Sequence, residues 1–378
     1  MRNRTAADDG TRQTHRHCNR CGSPLFIQRA FHVHERDAKI HISSSQRPAA
    51  HTAIDKKEAP TESTTMTMLP GRPAVVKCAY ISFCACFGTL ARIYTDEIGP
   101  ASNLALQGSF LANSVGSFAL GLLTSSPDRD SAPDALYAGL TVGLCGSYTT
   151  YSGWNLRIAR AALRQIPGAP SGAIVTVVAI ATSLAFFATC FAAGSDLMKE
   201  MAVRGRRLRL RGMLGGGLAG GGSDAARGAL GMLGAVYVLL AILLAVDDNW
   251  SRRINWVACM FAPFGALLRF FLSRQLNQRW RGGAFPLGTF AANVSGSLVM
   301  ALVFYGTINS SSLTTGWRNV CIRAFQAGFL GSLTTISTFV SEVVGHRDKH
   351  TPSASYAYLA ATAIACQAPV LIVGATLK

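Results

Sequence analysis

Charge is scarce along this chain, and negative charge is scarcer still. Lys, Arg, Asp and Glu make up 15% of the 378 residues, with 19 acidic against 36 basic, while 49% are hydrophobic. Soluble domains carry about 25% charged residues; with a mean hydropathy of +0.26, this composition excludes that class and points to a bilayer. The net charge of +17 is not a nucleic-acid footprint: the basic residues lie in tails and loops, and no stacking or base-reading motif accompanies them. A Gly-rich nucleotide loop and a catalytic constellation are both missing, which argues against an ATP-driven pump and against an enzyme. No convincing carboxylate stands inside an apolar run, Glu342 being the best candidate. Before residue 70 there is no long apolar run, so no cleaved secretory signal is expected there. That stretch is polar and aperiodic, and reads as a disordered tail over 1–70. Its one C-x-x-C, Cys18 and Cys21, has His15, His17, His32 and His34 nearby, a set able to hold zinc, but lacks the second cysteine pair of a four-cysteine site.

What is present is apolar length. A membrane span needs about 20 mostly apolar residues, and nine stretches meet that test: 74–95, 103–124, 134–158, 171–194, 229–247, 254–274, 286–308, 320–344 and 354–375. Seven of the ten cysteines fall inside them and Cys321 sits at an edge, so they read as small buried residues and not as a disulfide set. An all-α membrane bundle follows, its spans rich in glycine at positions suited to close helix contact.

Hydroxyls crowd two of these spans. "GSYTTYSGW" at 146–154 and "GSLTTISTF" at 331–339 repeat one order of residues. "FGTLAR" (87–92) pairs with "FGALLR" (264–269), and "GSFLANSVGS" (108–117) with "GTFAANVSGS" (288–297). Three blocks in one order, twice, define two four-span repeats, 74–194 and 254–375, with a basic Gly-rich linker at 195–228 and a single extra span at 229–247. Four spans return a chain to its starting side, and one intervening span then inverts the second copy. Inverted repeats place binding sites near the midplane between them. Lys and Arg favour the N-terminal flank and even loops by roughly two to one, which puts the N-terminus in the cytoplasm and the C-terminus outside.

The blocks G-x-x-x-R (Gly88, Arg92; Gly265, Arg269), N-x-x-G-S (Asn113, Gly116; Asn293, Gly296) and G-x-x-T-T resemble the fluoride channel family known as Fluc, CrcB or FEX, over roughly residues 75–375. The resemblance implies a fused, eukaryotic-style two-repeat form, acting as a monomer with two pseudo-symmetric halves, that lets cytoplasmic fluoride leave passively across the plasma membrane. It also implies a structural Na⁺ between the backbone carbonyls of Gly146, Thr149, Gly331 and Thr334, and a polar track on the last span, where Tyr358, Thr362 and Cys366 share one face.

The residues read consistently beside it. Fluoride is small and strongly hydrated, so a path through hydrocarbon must replace its water with donors: the amides of Asn113 and Asn293 and the hydroxyls of Thr150, Ser152, Thr335 and Ser337. Intrahelical back-bonding competes for each hydroxyl, and interhelical bonding for each asparagine. Arg92 and Arg269 stand near span ends, where snorkelling and a structural or anion-attracting role at a pore mouth both fit. The family pattern has phenylalanine at two places three apart; here they hold Tyr151 and Trp154 in one half, Ile336 and Phe339 in the other. One pore would combine Tyr151 with Phe339, and the other Ile336 with Trp154. The competing function is a cation- or proton-coupled small-solute antiporter on the same inverted repeat.

Overall fold

Backbone groups in hydrocarbon have no water to bind, and all regular structure among the described residues is helical. The computed structural model describes residues 72–98, 109–127, 129, 132–169, 171–205, 223–279, 284–308, 310, 313, 315–349 and 351–377. The tail at 1–70 with its C-x-x-C, and residues 206–222 of the basic linker, lie outside them.

The first half contains α1 (Arg72–Ile98), α2 (Ser109–Thr124), α3 (Asp134–Ala138), the π-helix π1 (Gly139–Cys145), α4 (Gly146–Tyr148), α5 (Ser152–Ala162) and α6 (Ala173–Val203). After α7 (Ser223–Val246) come α8 (Trp250–Leu276), α9 (Leu287–Ile308), α10 (Gly316–Ala324), π2 (Phe325–Leu330), α11 (Gly331–Leu333), α12 (Ser337–Lys349) and α13 (Pro352–Thr376). Seven helical stretches among the described residues are long and apolar enough to cross a membrane, including the run Gly316–Arg347. Of the other two expected spans, one is the shorter apolar helix Ser109–Thr124, and the other is the interrupted run from α3 to α5.

The two halves meet where α1 packs on α8, through Ile81, Ala85, Ala262 and Ala266, all without exposure. Small side chains there let the helices approach closely. α7 lies along this pair: Ala229 joins Val76 and Tyr80, Leu240 joins Cys86 and Cys259, and the Tyr237 hydroxyl donates to the Met260 carbonyl at 2.9 Å. Its outer face, with Val238, Leu239 and Ile242, is exposed. At the turn into α8, Asn249 caps the helix by accepting from the backbone of Ser251 and Arg252. Arg252 donates to Asp247 at 2.7 and 2.9 Å and holds its carboxyl well below the usual carboxylate range. The described cysteines are all free thiols, and Cys84, Cys86, Cys145, Cys259 and Cys366 are buried.

Close backbone approach occurs at the glycine of each G-x-x-x-R block. A side chain at Gly88 would run into the Leu144 carbonyl of π1, and one at Gly265 into the Phe329 carbonyl of π2. Gly121 of α2 faces the Phe191 carbonyl of α6 in the same way. Gly121→Val must therefore wedge α2 from α6, and is expected to cost about 1–3 kcal/mol. Gly234→Val, with nothing within 4 Å of the added atom, is expected to stay within about 0.5 kcal/mol. Thermal unfolding of the two variants in detergent checks the contrast.

Candidate functional site

In each half one helix stops in mid-bundle and restarts. The cause is a side-chain amide from a neighbouring helix. Thr149 is extended (φ −97°, ψ 149°), and the next amide, Thr150 N–H, donates to Asn113 Oδ1 at 2.9 Å instead of to the Gly146 carbonyl four residues back. Asn113 Nδ2 in turn donates to the Thr150 carbonyl at 3.1 Å. The second half repeats this: Thr334 is extended (φ −94°, ψ 148°), Thr335 N–H donates to Asn293 Oδ1 at 2.9 Å, and Asn293 Nδ2 donates to the Thr335 carbonyl at 3.2 Å. A π-helix precedes each break, a feature that often marks functional sites. Asn113 and Asn293 thus clamp backbone, and each keeps one amide hydrogen beyond the clamp.

The two breaks cross. Thr149 Oγ1 lies 2.9 Å from Thr335 Oγ1 and 3.0 Å from Ser337 Oγ; Thr334 Oγ1 lies 2.9 Å from Ser152 Oγ and 3.2 Å from Thr150 Oγ1. All six hydroxyls are buried, and Gly116 and Gly296 leave room for the methyls of Thr149 and Thr334. The hydroxyl-rich motif thereby joins the halves. It also redirects amides: Ser152 N–H goes to Thr334 Oγ1 at 3.0 Å, Ser337 N–H to Thr149 Oγ1 at 3.3 Å and Gly153 N–H to Thr150 Oγ1 at 3.5 Å. The carbonyls of Gly146, Thr149 and Gly331 are left without their helical donors, and Thr334 repeats the backbone of Thr149. Carbonyl oxygens without helical donors are the donor type a hard cation takes.

Arg92 and Arg269 are 3% and 2% exposed, so neither snorkels. The Arg269 guanidinium lies against Gly146 and donates to the Val142 carbonyl at 2.9 Å and, through Nε, to the Ser332 carbonyl at 3.1 Å. Arg92 lies against Gly331 and donates to the Ala327 carbonyl. Each arginine reaches from one half to the π-helix of the other, a structural placement.

Tyr358, Thr362 and Cys366 share the buried face of α13, and a polar cluster begins beside Tyr358. The Tyr358 hydroxyl donates to Glu342 Oε2 at 2.8 Å, while Glu342 Oε1 accepts from the Thr289 hydroxyl at 2.6 Å and from Asn277 Nδ2 at 3.0 Å. Three donors make a half-buried carboxylate tenable inside the bundle. Thr289 and Asn277 escaped the sequence reading, and Glu342 entered it only as an isolated acid; a hint was available, since Glu342 stands three residues after Phe339, on the same helical face. Phe339 lies 5.2 Å from the Tyr358 ring and 5.7 Å, edge-on at 82°, from the Tyr151 ring of the other half. The Tyr151 hydroxyl is buried without a hydrogen-bond partner among the described residues, in the same core cluster as Cys366. Trp154 stands edge-on to the same Tyr151 ring at 5.3 Å and packs at 6.0 Å against Phe187 of α6, with the aliphatic Ile336 in the same core cluster.

Asn113→Ala and Asn293→Ala each orphan a buried N–H and a buried C=O, and are expected to lower stability by about 1–3 kcal/mol per orphaned group. Ser295→Ala, which removes only a hydroxyl bonded at 2.6 Å to its own helix, is the control and is expected to change it by less than about 0.5 kcal/mol. Thermal melts in detergent read all three.

A family model described as CrcB-like protein, Camphor Resistance (CrcB), matches the chain twice, over residues 79–195 and 256–375. Fluoride export protein 1 of Candida albicans is 29% identical over 269 residues, 65% of this chain and 62% of that protein. Fluoride export protein 1 of Neurospora crassa is 29% identical over 243 residues, 57% of this chain and 43% of that one. A fluoride-specific ion channel FluC of Burkholderia lata is 44% identical over 85 residues, 22% of this chain and 62% of that one. The chain thus spans less than two thirds of each of these relatives, and no solved structure matches it. The two matches of the family model fall on the two halves, cover more than half of the chain and include both breaks, both asparagines and both arginines: the chain belongs to the CrcB family.

Proposed function

We propose that this protein is a fluoride-selective channel that exports cytoplasmic fluoride passively, as the names of its fungal and bacterial relatives suggest. The observation that carries the reading is the Tyr151–Phe339 pair, one ring from each half, set edge-on beside the Tyr358–Glu342 hydrogen bond and the buried α13 face that holds Tyr358, Thr362 and Cys366. Ring edges carry partial positive charge, enough to meet a desolvated anion and too little to hold it, and weak sites are what conduction needs. Together with the remaining amide hydrogens of Asn113 and Asn293, the pair replaces water around fluoride; the hydroxyls of Thr150, Ser152, Thr335 and Ser337 bind each other's half at the crossing, and that of Thr362 donates to the Tyr358 carbonyl. An inside-negative potential then drives the anion outward, by about 2.3 kcal/mol per 100 mV.

The layout that serves this is a nine-span bundle of two inverted repeats, 74–194 and 254–375. The basic linker and α7 return the second repeat with opposite orientation, the N-terminus in the cytoplasm and the C-terminus outside. In the plasma membrane a single chain then suffices, since both halves of the crossing are present. The carbonyls of Gly146, Thr149, Gly331 and Thr334 would hold Na⁺, which supplies fixed positive charge at the crossing. A second reading, a cation- or proton-coupled antiporter, draws on Glu342, a carboxylate inside the bundle with three hydrogen-bond donors.

The rings also separate the two possible routes. Ile336 offers no ring edge, and Trp154 is packed between Phe187 and the edge-on Tyr151 ring; on this reading one route conducts. Fluoride efflux from liposomes holding the purified protein is the test. Phe339→Ile is expected to stop most of it, and Trp154→Ile to have far less effect at equal insertion. Equal losses in well-folded variants would mean two working routes, and no efflux from the unmodified protein would sink the reading.

A further inference from the structure

Beyond the ring pair, three helices bring unpaired polar atoms to one level. α5, α9 and α13 run in register: Asn155 Nδ2 donates to the Cys366 carbonyl at 2.9 Å, and one turn after the next a side chain at Gly374 would meet both Leu163 and Tyr305. On α9, which packs on both α5 and α13, Ser297 stands eight residues before Tyr305. Eight residues therefore separate the two contact levels on each helix, and Asn155, Ser297 and Cys366 share the inner one. Gln367 follows Cys366 and sits two helical turns, about 10 Å, before Gly374 on the same face, the face turned to α5 and α9.

The atoms gathered there are buried and idle. Gln367 is 5% exposed, with neither Nε2 nor Oε1 paired; Asn155 and Ser297 have no exposure, and Asn155 Oδ1 and Ser297 Oγ have no hydrogen-bond partner among the described residues. Orphaned buried amides are costly and uncommon, so a cluster of them on three elements points to something bound between them. The set offers donors without a full charge: two hydrogens on Gln367 Nε2 and one on Ser297 Oγ. Asn155 Oδ1 is an acceptor, which suits a water held beside an anion and not the anion itself. The next layer outward, Ala159, Ala301 and Val370, provides no side-chain donor. Nearer the helix ends the Tyr305 hydroxyl donates to Gln165 Oε1 at 2.8 Å.

We propose that Gln367 and Ser297 form a second fluoride station on the far side of the Tyr151–Phe339 pair, where the amide and hydroxyl hold the anion and Asn155 holds its one remaining water. This rests on the channel reading above, and gives it a specificity-determining residue outside the repeat motifs. Two stations in series let an arriving anion displace the one ahead, which allows binding and fast exit together.

The test is fluoride efflux from liposomes against fluoride concentration, for the unmodified protein, Gln367→Leu and Gln367→Glu. Leucine removes the donors; glutamate keeps the size and sets a carboxylate against the anion. Both are expected to lower efflux at least tenfold and to raise the half-saturating fluoride concentration, and Gln367→Leu is expected to melt no lower than the unmodified protein, since it deletes an unpaired buried amide. Should Gln367→Leu not fold, Gln367→Glu and Ser297→Ala decide the matter by the same readings. Unchanged efflux and half-saturation in folded variants, while the unmodified protein conducts, would overturn the station alone. A lower melt with unchanged efflux would make Gln367 a structural amide and overturn it too. An unmodified protein that passes no fluoride would overturn both this and the channel reading.

Discussion

Two asparagine side chains hold this architecture in its working form. An extended turn inside a bundle strands backbone amides and carbonyls that no water can reach, at several kcal/mol for each group. Asn113 and Asn293 answer this by placing a side-chain amide flat against Thr150 and Thr335, one donor and one acceptor each. With the breaks held open, the other features follow. Thr149 and Thr334 can turn their hydroxyls into the opposite half, the arginines can reach the π-helix carbonyls across the contact, and glycine must stand wherever a helix then meets backbone.

The crossing is close to symmetric and its surroundings are not. Bond for bond, the Asn–Thr clamps and the hydroxyl contacts repeat between the halves within a few tenths of an ångström. One residue further out the likeness ends: Tyr151 corresponds to Ile336, Trp154 to Phe339 and Arg157 to Glu342. Fused repeats are free to diverge in this way, because each side chain exists once. The side that kept two rings also gained a carboxylate held by Thr289, Asn277 and Tyr358, whereas the side of Ile336 is filled by Trp154 and Phe187. The Trp154 indole N–H stays buried without a partner among the described residues, whereas the polar row on the other side is hydrogen-bonded through Glu342.

The sequence showed the helices well because bilayer burial makes apolar length explicit. Even so, hydropathy stopped the fourth span at 194, while α6 runs to Val203. Asp196, Lys199 and Glu200 lower the hydropathy without breaking the helix, and Lys199–Asp196 and Arg204–Glu200 contacts support its end. The paired motifs pointed to the crossing, since three repeated blocks in order leave little freedom. What they did not give was the use made of each residue. Asn113 was read as a donor along the ion path, and the structure places both ends of its amide on Thr150; that depends on a contact 37 positions away. The Glu342 cluster unites residues 16 to 65 positions apart, a distance at which no spacing rule operates. The π-helices have no sequence signature beyond their glycines.

Passive conduction and coupled exchange make different demands on the same half-buried Glu342, and voltage separates them. The reversal potential of the fluoride current through the purified, unmodified protein in a planar bilayer, recorded with fluoride gradients and then with a pH gradient added, is the most direct measurement. A channel predicts a reversal potential that moves by about 59 mV for each tenfold fluoride gradient and ignores the pH gradient. A reversal potential that shifts with pH at fixed fluoride would show protons coupled to the transported anion, and would contradict the account.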